Sequence, residues 1–74
     1  MTASEIQERL LAQFPDAVIT ATDLTGGGDH WQLKIVSAAF AGKTLVVQHQ
    51  LVYKALGDWM QDGMIHALAL TTCA

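Results

Sequence analysis

The sequence has one cysteine, one proline and only four basic residues among its 74 positions. Because Cys73 stands alone, no disulfide can form within the chain, and a reducing compartment is expected. No segment approaches the roughly 18 uninterrupted apolar residues of a membrane span, and the N-terminus does not resemble a secretion signal. We therefore expect a cytoplasmic protein that does not enter the membrane.

Basic residues are too few and too scattered to suggest a nucleic-acid site. Arg9, Lys34, Lys43 and Lys54 face seven acidic residues, which gives a formal net charge of −3. Nucleic-acid binders normally carry a clustered basic face, because the release of counterions supplies much of their affinity. The charge balance therefore disfavours nucleic-acid binding without excluding it.

Apolar residues make up 51% of the sequence and charged residues 15%. This balance is typical of a compact globular core and argues against intrinsic disorder. A chain of this length forms one domain, so we expect a single domain over residues 1–74.

The spacing of apolar residues predicts an amphipathic first helix. Ser4 and Gln7 have the spacing of a capping box, and Pro15 ends the pattern. The apolar residues on one face of this helix are Ile6, Leu10, Leu11 and Phe14.

Two strands follow the first helix. Residues 17–23 are rich in β-branched side chains, and residues 31–37 alternate apolar with polar positions. The intervening residues 24–30 contain three consecutive glycines. The two strands are therefore expected to pair in antiparallel fashion around a mobile loop.

The second half of the chain predicts two helices and a last strand. Apolar residues recur at helical spacing over residues 44–59, with a break near His49 or Gln50, which favours a short helix followed by a longer one. Asp62 and Gly63 suit a turn, and the apolar run 64–71 suits a strand buried in the sheet. The order αββααβ predicts an α+β fold in which helices cover one face of a three-stranded sheet.

No motif for catalysis or phosphate binding is present. The glycine-rich loop lacks the Gly-Lys-Ser/Thr ending of a phosphate loop, and no G-x-G-x-x-G pattern opens a helix. Ser4, Ser37 and Cys73 have no neighbouring motif that would supply a base. We therefore expect a protein that binds a partner and is not an enzyme.

Three histidines remain as candidate functional residues. His30 closes the glycine-rich loop, His66 opens the last predicted strand, and His49 lies in the helical segment. Taken singly, a histidine in each of these positions is more often a structural or surface residue than a ligand.

Three ordered segments resemble the signature of BolA-like proteins. The segments are Phe40-x-Gly42-Lys43, Gln48-His49-Gln50-x-Val52-Tyr53-x-x-Leu56 and Ile65-His66-Ala67-Leu68. The resemblance runs from the first helix to the last strand and implies the family's KH-like fold, which has the same αββααβ order.

The resemblance implies a role in iron homeostasis. BolA-like proteins share a [2Fe-2S] cluster with a monothiol glutaredoxin, whose cysteine and a bound glutathione supply thiolate ligands. The family histidine before the last strand corresponds to His66. Its second ligand lies in the loop between the first two strands, as cysteine or histidine, and here corresponds to His30. With one cysteine in the chain, the other cluster ligands would come from the partner.

Two other functions stay open. The chain could be a nucleic-acid-binding transcriptional regulator, although it lacks the G-x-x-G of KH domains, and Gln48 stands where many family members have arginine. It could also be a metal-free interaction module that uses apolar surface at Trp59, Met60 and Met64, residues that otherwise fit the core.

Overall fold

A computed structural model describes all residues 1–74 and has the predicted α+β architecture. Helices pack on one face of a three-stranded sheet, in the expected αββααβ order. The elements are α1 (Ala3–Gln13), β1 (Val18–Asp23), β2 (His30–Val36), a 3-10 turn (Ala38–Phe40), α2 (Leu45–Leu56), α3 (Asp58–Gln61) and β3 (Ala67–Cys73). None of the helices combines the length and apolar character needed to cross a membrane.

Strand β2 is the centre of the sheet. It pairs with β1 in antiparallel fashion, as predicted, and with β3 in parallel fashion. In the parallel register, His30 lies opposite Ala67 and Val36 lies opposite Cys73. The first residues of β2 and β3 therefore lie at the same end of the sheet.

The last strand differs from its prediction. It runs over Ala67–Cys73 instead of residues 64–71, and it forms an edge of the sheet whose alternate residues are exposed. The apolar run that suggested a buried strand contributes one side chain in two to the helix-covered face.

Helix α1 begins earlier than the sequence suggested. The capping box is formed by Thr2 and Glu5: Thr2 Oγ1 accepts from the Glu5 backbone N–H at 3.2 Å, and Glu5 Oε1 accepts from the Thr2 N–H at 2.9 Å. The prediction of Ser4 and Gln7 was wrong, because Ser4 already lies inside the first turn. The end was predicted correctly, since the helix stops at Gln13.

The predicted break near His49 or Gln50 is absent. One long helix, α2, runs through both residues and ends at Leu56. Gly57, with a φ of +47°, separates it from the short helix α3. The long helix therefore precedes the short one, the reverse of the prediction. The interruption falls at Gly57 because glycine adopts a positive φ without steric cost.

The core lies between the sheet and the helices. Its buried side chains are Ile6, Leu10, Phe14, Trp31, Leu33, Ile35, Phe40, Val52, Leu56 and Ile65. The alternation predicted for β2 is confirmed, because its three core residues alternate with exposed polar ones. Two helix residues predicted to face the core, Leu11 and Leu45, are 40% and 60% exposed, and Met64 is 48% exposed.

Candidate functional site

His30 and His66 lie side by side at one end of the sheet. Their ring centroids are 6.0 Å apart and their planes are inclined by 76°. His30 is the first residue of β2, and His66 immediately precedes β3. Because these strands are parallel and His30 opposes Ala67, residues far apart in sequence become neighbours.

Asp29 joins the two histidines. Its Oδ1 lies 2.9 Å from His30 Nδ1, and its Oδ2 lies 3.4 Å from His66 Nδ1. The Asp29 backbone carbonyl accepts from the N–H groups of His66 and Ala67, at 2.7 and 3.3 Å. A carboxylate facing Nδ1 favours the tautomer with the proton on that atom, which leaves each Nε2 lone pair free to bind a ligand.

The charge of Asp29 is stabilised by the same contacts. The hydrogen bond from His30 is the largest effect and lowers the pKa of the Asp29 carboxyl below its usual value. Partial burial opposes this shift, while the charges of His30 and His66 reinforce it. Asp29 is therefore an ionised acceptor at neutral pH, the state needed to orient two imidazoles.

Both imidazoles can be reached from solvent. The side chains of His30 and His66 are 40% and 60% exposed. A Cβ on Gly63 would lie 3.9 Å from His66 Nε2, and Gly63 has a φ of +74°. The glycine thus leaves that edge of the His66 ring uncovered by a side chain from the preceding turn.

The glycine-rich loop before the site forms hydrogen bonds with the end of β1 and the start of β2. The Asp23 carboxylate accepts from the backbone N–H groups of Thr25, Gly26 and Gly28, at 3.3, 3.0 and 2.9 Å. The Gly28 carbonyl in turn accepts from Trp31 Nε1 at 2.9 Å. These contacts determine the path of the chain into Asp29 and His30.

His49 does not join the pair. It lies on α2, where its ring contacts Tyr53 edge to face at a centroid distance of 6.4 Å. Its Nε2 atom is buried without a hydrogen-bond partner. His49 is therefore a helix residue, and it does not lie beside His30 as a second ligand would.

The side chain of Gln48 makes structural contacts. Its Nε2 donates to the carbonyls of Phe40 and Lys43, at 3.2 and 2.9 Å, and its Oε1 accepts from Thr72 Oγ1 at 2.6 Å. The side chain therefore joins the start of α2 to the end of β3.

The histidine pair offers two candidate ligand nitrogens and does not by itself complete a metal site. No set of three histidine, cysteine, aspartate or glutamate side chains is placed to hold a metal ion. Cys73 ends β3, the strand that His66 precedes, and so lies roughly 20 Å away along it. Sequence reasoning identified both histidines but missed Asp29, whose only signal was its position next to His30.

Comparisons with known proteins agree with this architecture. The family model described as BolA-like protein matches residues 13–74. An uncharacterized protein of Rickettsia prowazekii is 38% identical over 72 residues, which cover 97% of this chain and 92% of the relative. The DNA-binding transcriptional regulator BolA of Escherichia coli is 28% identical over 79 aligned positions, which cover 97% of this chain and 74% of the regulator.

A solved structure gives the same result at the level of the fold. The BolA domain of SufE1 from Arabidopsis thaliana superposes with a TM-score of 0.86 at 31% identity, over 99% of this chain and 93% of that domain. These similarities agree with the order of the helices and strands and with the sequence segments on which the resemblance was based. The chain belongs to the BolA-like protein family.

Proposed function

We propose that the chain binds partners as an iron-sulfur adaptor or regulator and shares a [2Fe-2S] cluster with a monothiol glutaredoxin. Cluster assembly, cluster transfer and iron sensing are the processes such a complex serves. The observation that carries the proposal is the pair formed by His30 and His66, with Asp29 facing Nδ1 of both rings.

The pair fits the chemistry of a histidine-ligated cluster. Two histidines replace two cysteines on one iron in Rieske centres, which raises the reduction potential. Here the Nε2 atoms of His30 and His66 are the available ligand atoms, because Asp29 faces the other nitrogen of each ring. Hydrogen bonding of a metal-binding histidine to a carboxylate is the usual device that sets its tautomer and ring orientation.

The remaining ligands of such a cluster would come from outside the chain. Cys73 lies at the far end of β3, so thiolates from the glutaredoxin and from glutathione complete the set in this proposal. The exposure of both imidazoles, 40% and 60%, leaves them accessible to a docked partner. Cluster binding and partner binding are then one event.

The test compares cluster loading in histidine variants. The chain is mixed with a monothiol glutaredoxin, ferrous iron, sulfide and glutathione, and the visible absorption and circular dichroism spectra are recorded. We expect a heterodimer whose spectrum differs from that of the glutaredoxin homodimer. His30→Ala combined with His66→Ala should abolish this difference, whereas His49→Ala, the matched control outside the pair, should retain it. An unchanged spectrum in the double variant would refute the ligand assignment.

A second candidate function is DNA binding, favoured by the relative from Escherichia coli that is described as a transcriptional regulator. The net charge of −3 and the inward hydrogen bonds of Gln48 argue against it. Binding of duplex DNA that weakens steeply with added salt, with a slope reflecting several phosphate contacts, would support this alternative.

A further inference from the structure

Basic residues that are scattered in the sequence come together in one groove. A cavity of about 690 Å³ lies between α1 and α2, and Arg9, Lys43 and Lys54 line it. These are three of the four basic residues of the chain. Aspartate and glutamate are absent from its lining, so the groove is a positive region on a protein of net charge −3.

Two of the three cations are free of ion pairs. Arg9 pairs with Asp58, and its guanidinium lies 4.1 Å from the centroid of the Trp59 ring. Lys43 Nζ donates to the backbone carbonyl of Ala39 at 2.7 Å, and neither Lys43 nor Lys54 has a carboxylate within ion-pair distance. Their charges are therefore available to an external anion.

Apart from Gln13, the rest of the groove lining is apolar. Phe14 and Leu51 contribute large side chains, and three alanines, Ala12, Ala39 and Ala55, leave space for an incoming group. The volume lies within the range of known ligand sites. An apolar surface beside two unpaired cations complements a partner that is apolar at its centre and acidic at its flanks.

We propose that the groove between α1 and α2 binds an acidic peptide segment of a partner protein. One or two apolar side chains of the segment enter beside Phe14 and Leu51, and flanking carboxylates pair with Lys43 and Lys54. A peptide fits better than a nucleic acid, because the phosphate backbone would meet few cations and a net negative protein. The groove includes none of Asp29, His30 and His66, so this proposal is independent of the cluster-binding proposal.

The test is a titration of the full chain, followed by backbone amide NMR shifts. The probes are a short synthetic peptide with two leucines flanked by aspartates and glutamates, the same peptide with lysines in place of the acids, and single-stranded oligothymidine. We expect saturable shifts with the acidic peptide at groove residues such as Ala12, Leu51 and Ala55. The lysine peptide and the oligonucleotide should leave these amides unshifted.

Charge reversal locates the site. Lys43→Glu combined with Lys54→Glu should weaken binding of the acidic peptide by about tenfold or more. Lys34→Glu, the matched control at the fourth basic residue, lies on β2 outside the groove and should leave affinity unchanged. Lys54→Glu alone serves as a second variant, because Lys54 lacks the backbone hydrogen bond of Lys43 and its loss does not threaten the fold. His30→Ala with His66→Ala should bind the peptide like the unaltered chain.

Three results would overturn the proposal. The first is the absence of saturable shifts with the acidic peptide. The second is an equal loss of affinity in Lys34→Glu and in the groove variants, which would indicate a general charge effect. The third is tighter binding of the oligonucleotide than of the peptide through the same amides, which would assign the groove to nucleic acid.

Discussion

Replacement of Asp29 by asparagine tests how the histidine pair is oriented. The aspartate carboxylate offers one oxygen to each Nδ1, at 2.9 Å for His30 and 3.4 Å for His66. An asparagine side chain has the same shape but only one acceptor oxygen, and its amide nitrogen is a donor. At least one imidazole therefore loses its partner and is free to rotate or to change tautomer.

The expected loss of cluster affinity depends on how many imidazole rings lose their orienting partner. Removal of the partner that orients a metal-binding histidine typically lowers metal affinity by about 10- to 100-fold. Because a single side chain orients both rings here, we expect Asp29→Asn to lie near the upper end of that range. The backbone contacts from the Asp29 carbonyl to His66 and Ala67 do not involve the side chain, so the fold should be retained.

The assay measures release of the cluster that the proposed heterodimer would share. The heterodimer with a monothiol glutaredoxin is exposed to an iron chelator, and the loss of visible circular dichroism is followed over a chelator series. Asp62→Asn is the matched control, since Asp62 is exposed in the turn that precedes the site. If Asp29→Asn and Asp62→Asn release the cluster equally while the histidine variants fail to bind it, Asp29 does not orient the ligands.

Three further predictions concern the stability of the fold. Gly28→Ala should lower the melting temperature by more than Gly42→Ala. Both glycines have a positive φ, but only at residue 28 would the new Cβ lie 2.8 Å from a backbone oxygen. Equal decreases in melting temperature would show that this close contact relaxes without cost. Gln48→Ala removes three hydrogen bonds and should cost about 2–4 kcal/mol in urea unfolding. Part of this cost should be shared with Thr72→Val in a double-mutant cycle, and additive effects would contradict the contact. The backbone N–H of Ala38 in the 3-10 turn, and after it the hydroxyl of Ser37, lower the pKa of the Asp16 carboxyl below its usual value. The stabilising effect of this carboxylate is therefore present above the usual aspartate pKa and lost as the pH falls through the lower folded-state pKa. Asp16→Asn should lower the urea midpoint at about pH 6 and by progressively less as the solution is acidified; a difference that does not change with pH would argue against linkage to this carboxyl.

Local patterns predicted the elements better than their ends. The alternation in β2 and the helical spacing of α1 follow from which side chains are buried, and both were correct. The start of α1 was misplaced because Thr2 to Glu5 and Ser4 to Gln7 both have capping-box spacing. Only the backbone conformation of Thr2, which is extended while Ser4 is helical, distinguishes them.

The error in the last strand arises from contacts distant in sequence. The apolar run in β3 is compatible with a central or an edge strand, and the pairing of β2 with both neighbours decides between them. The grouping of Arg9, Lys43 and Lys54 is also tertiary, because α1 and α2 must pack together before these residues share a groove. Charge counted along the chain therefore understated the positive surface.

The candidate site shows the same division between local and long-range information. The sequence and its resemblance identified His30 and His66 one at a time, but their separation depends on the parallel register of β2 and β3. Asp29 contributes through both its backbone and its side chain. Its backbone carbonyl accepts hydrogen bonds from the N–H groups of His66 and Ala67, and its carboxylate faces both imidazole rings. A slip of one residue in this register would turn alternate side chains of β3 to the opposite face and break the carbonyl contact. The proximity of the two histidines is therefore a consequence of strand pairing, and Asp29, whose backbone carbonyl contributes to that pairing at this end of the sheet, also faces both imidazole rings.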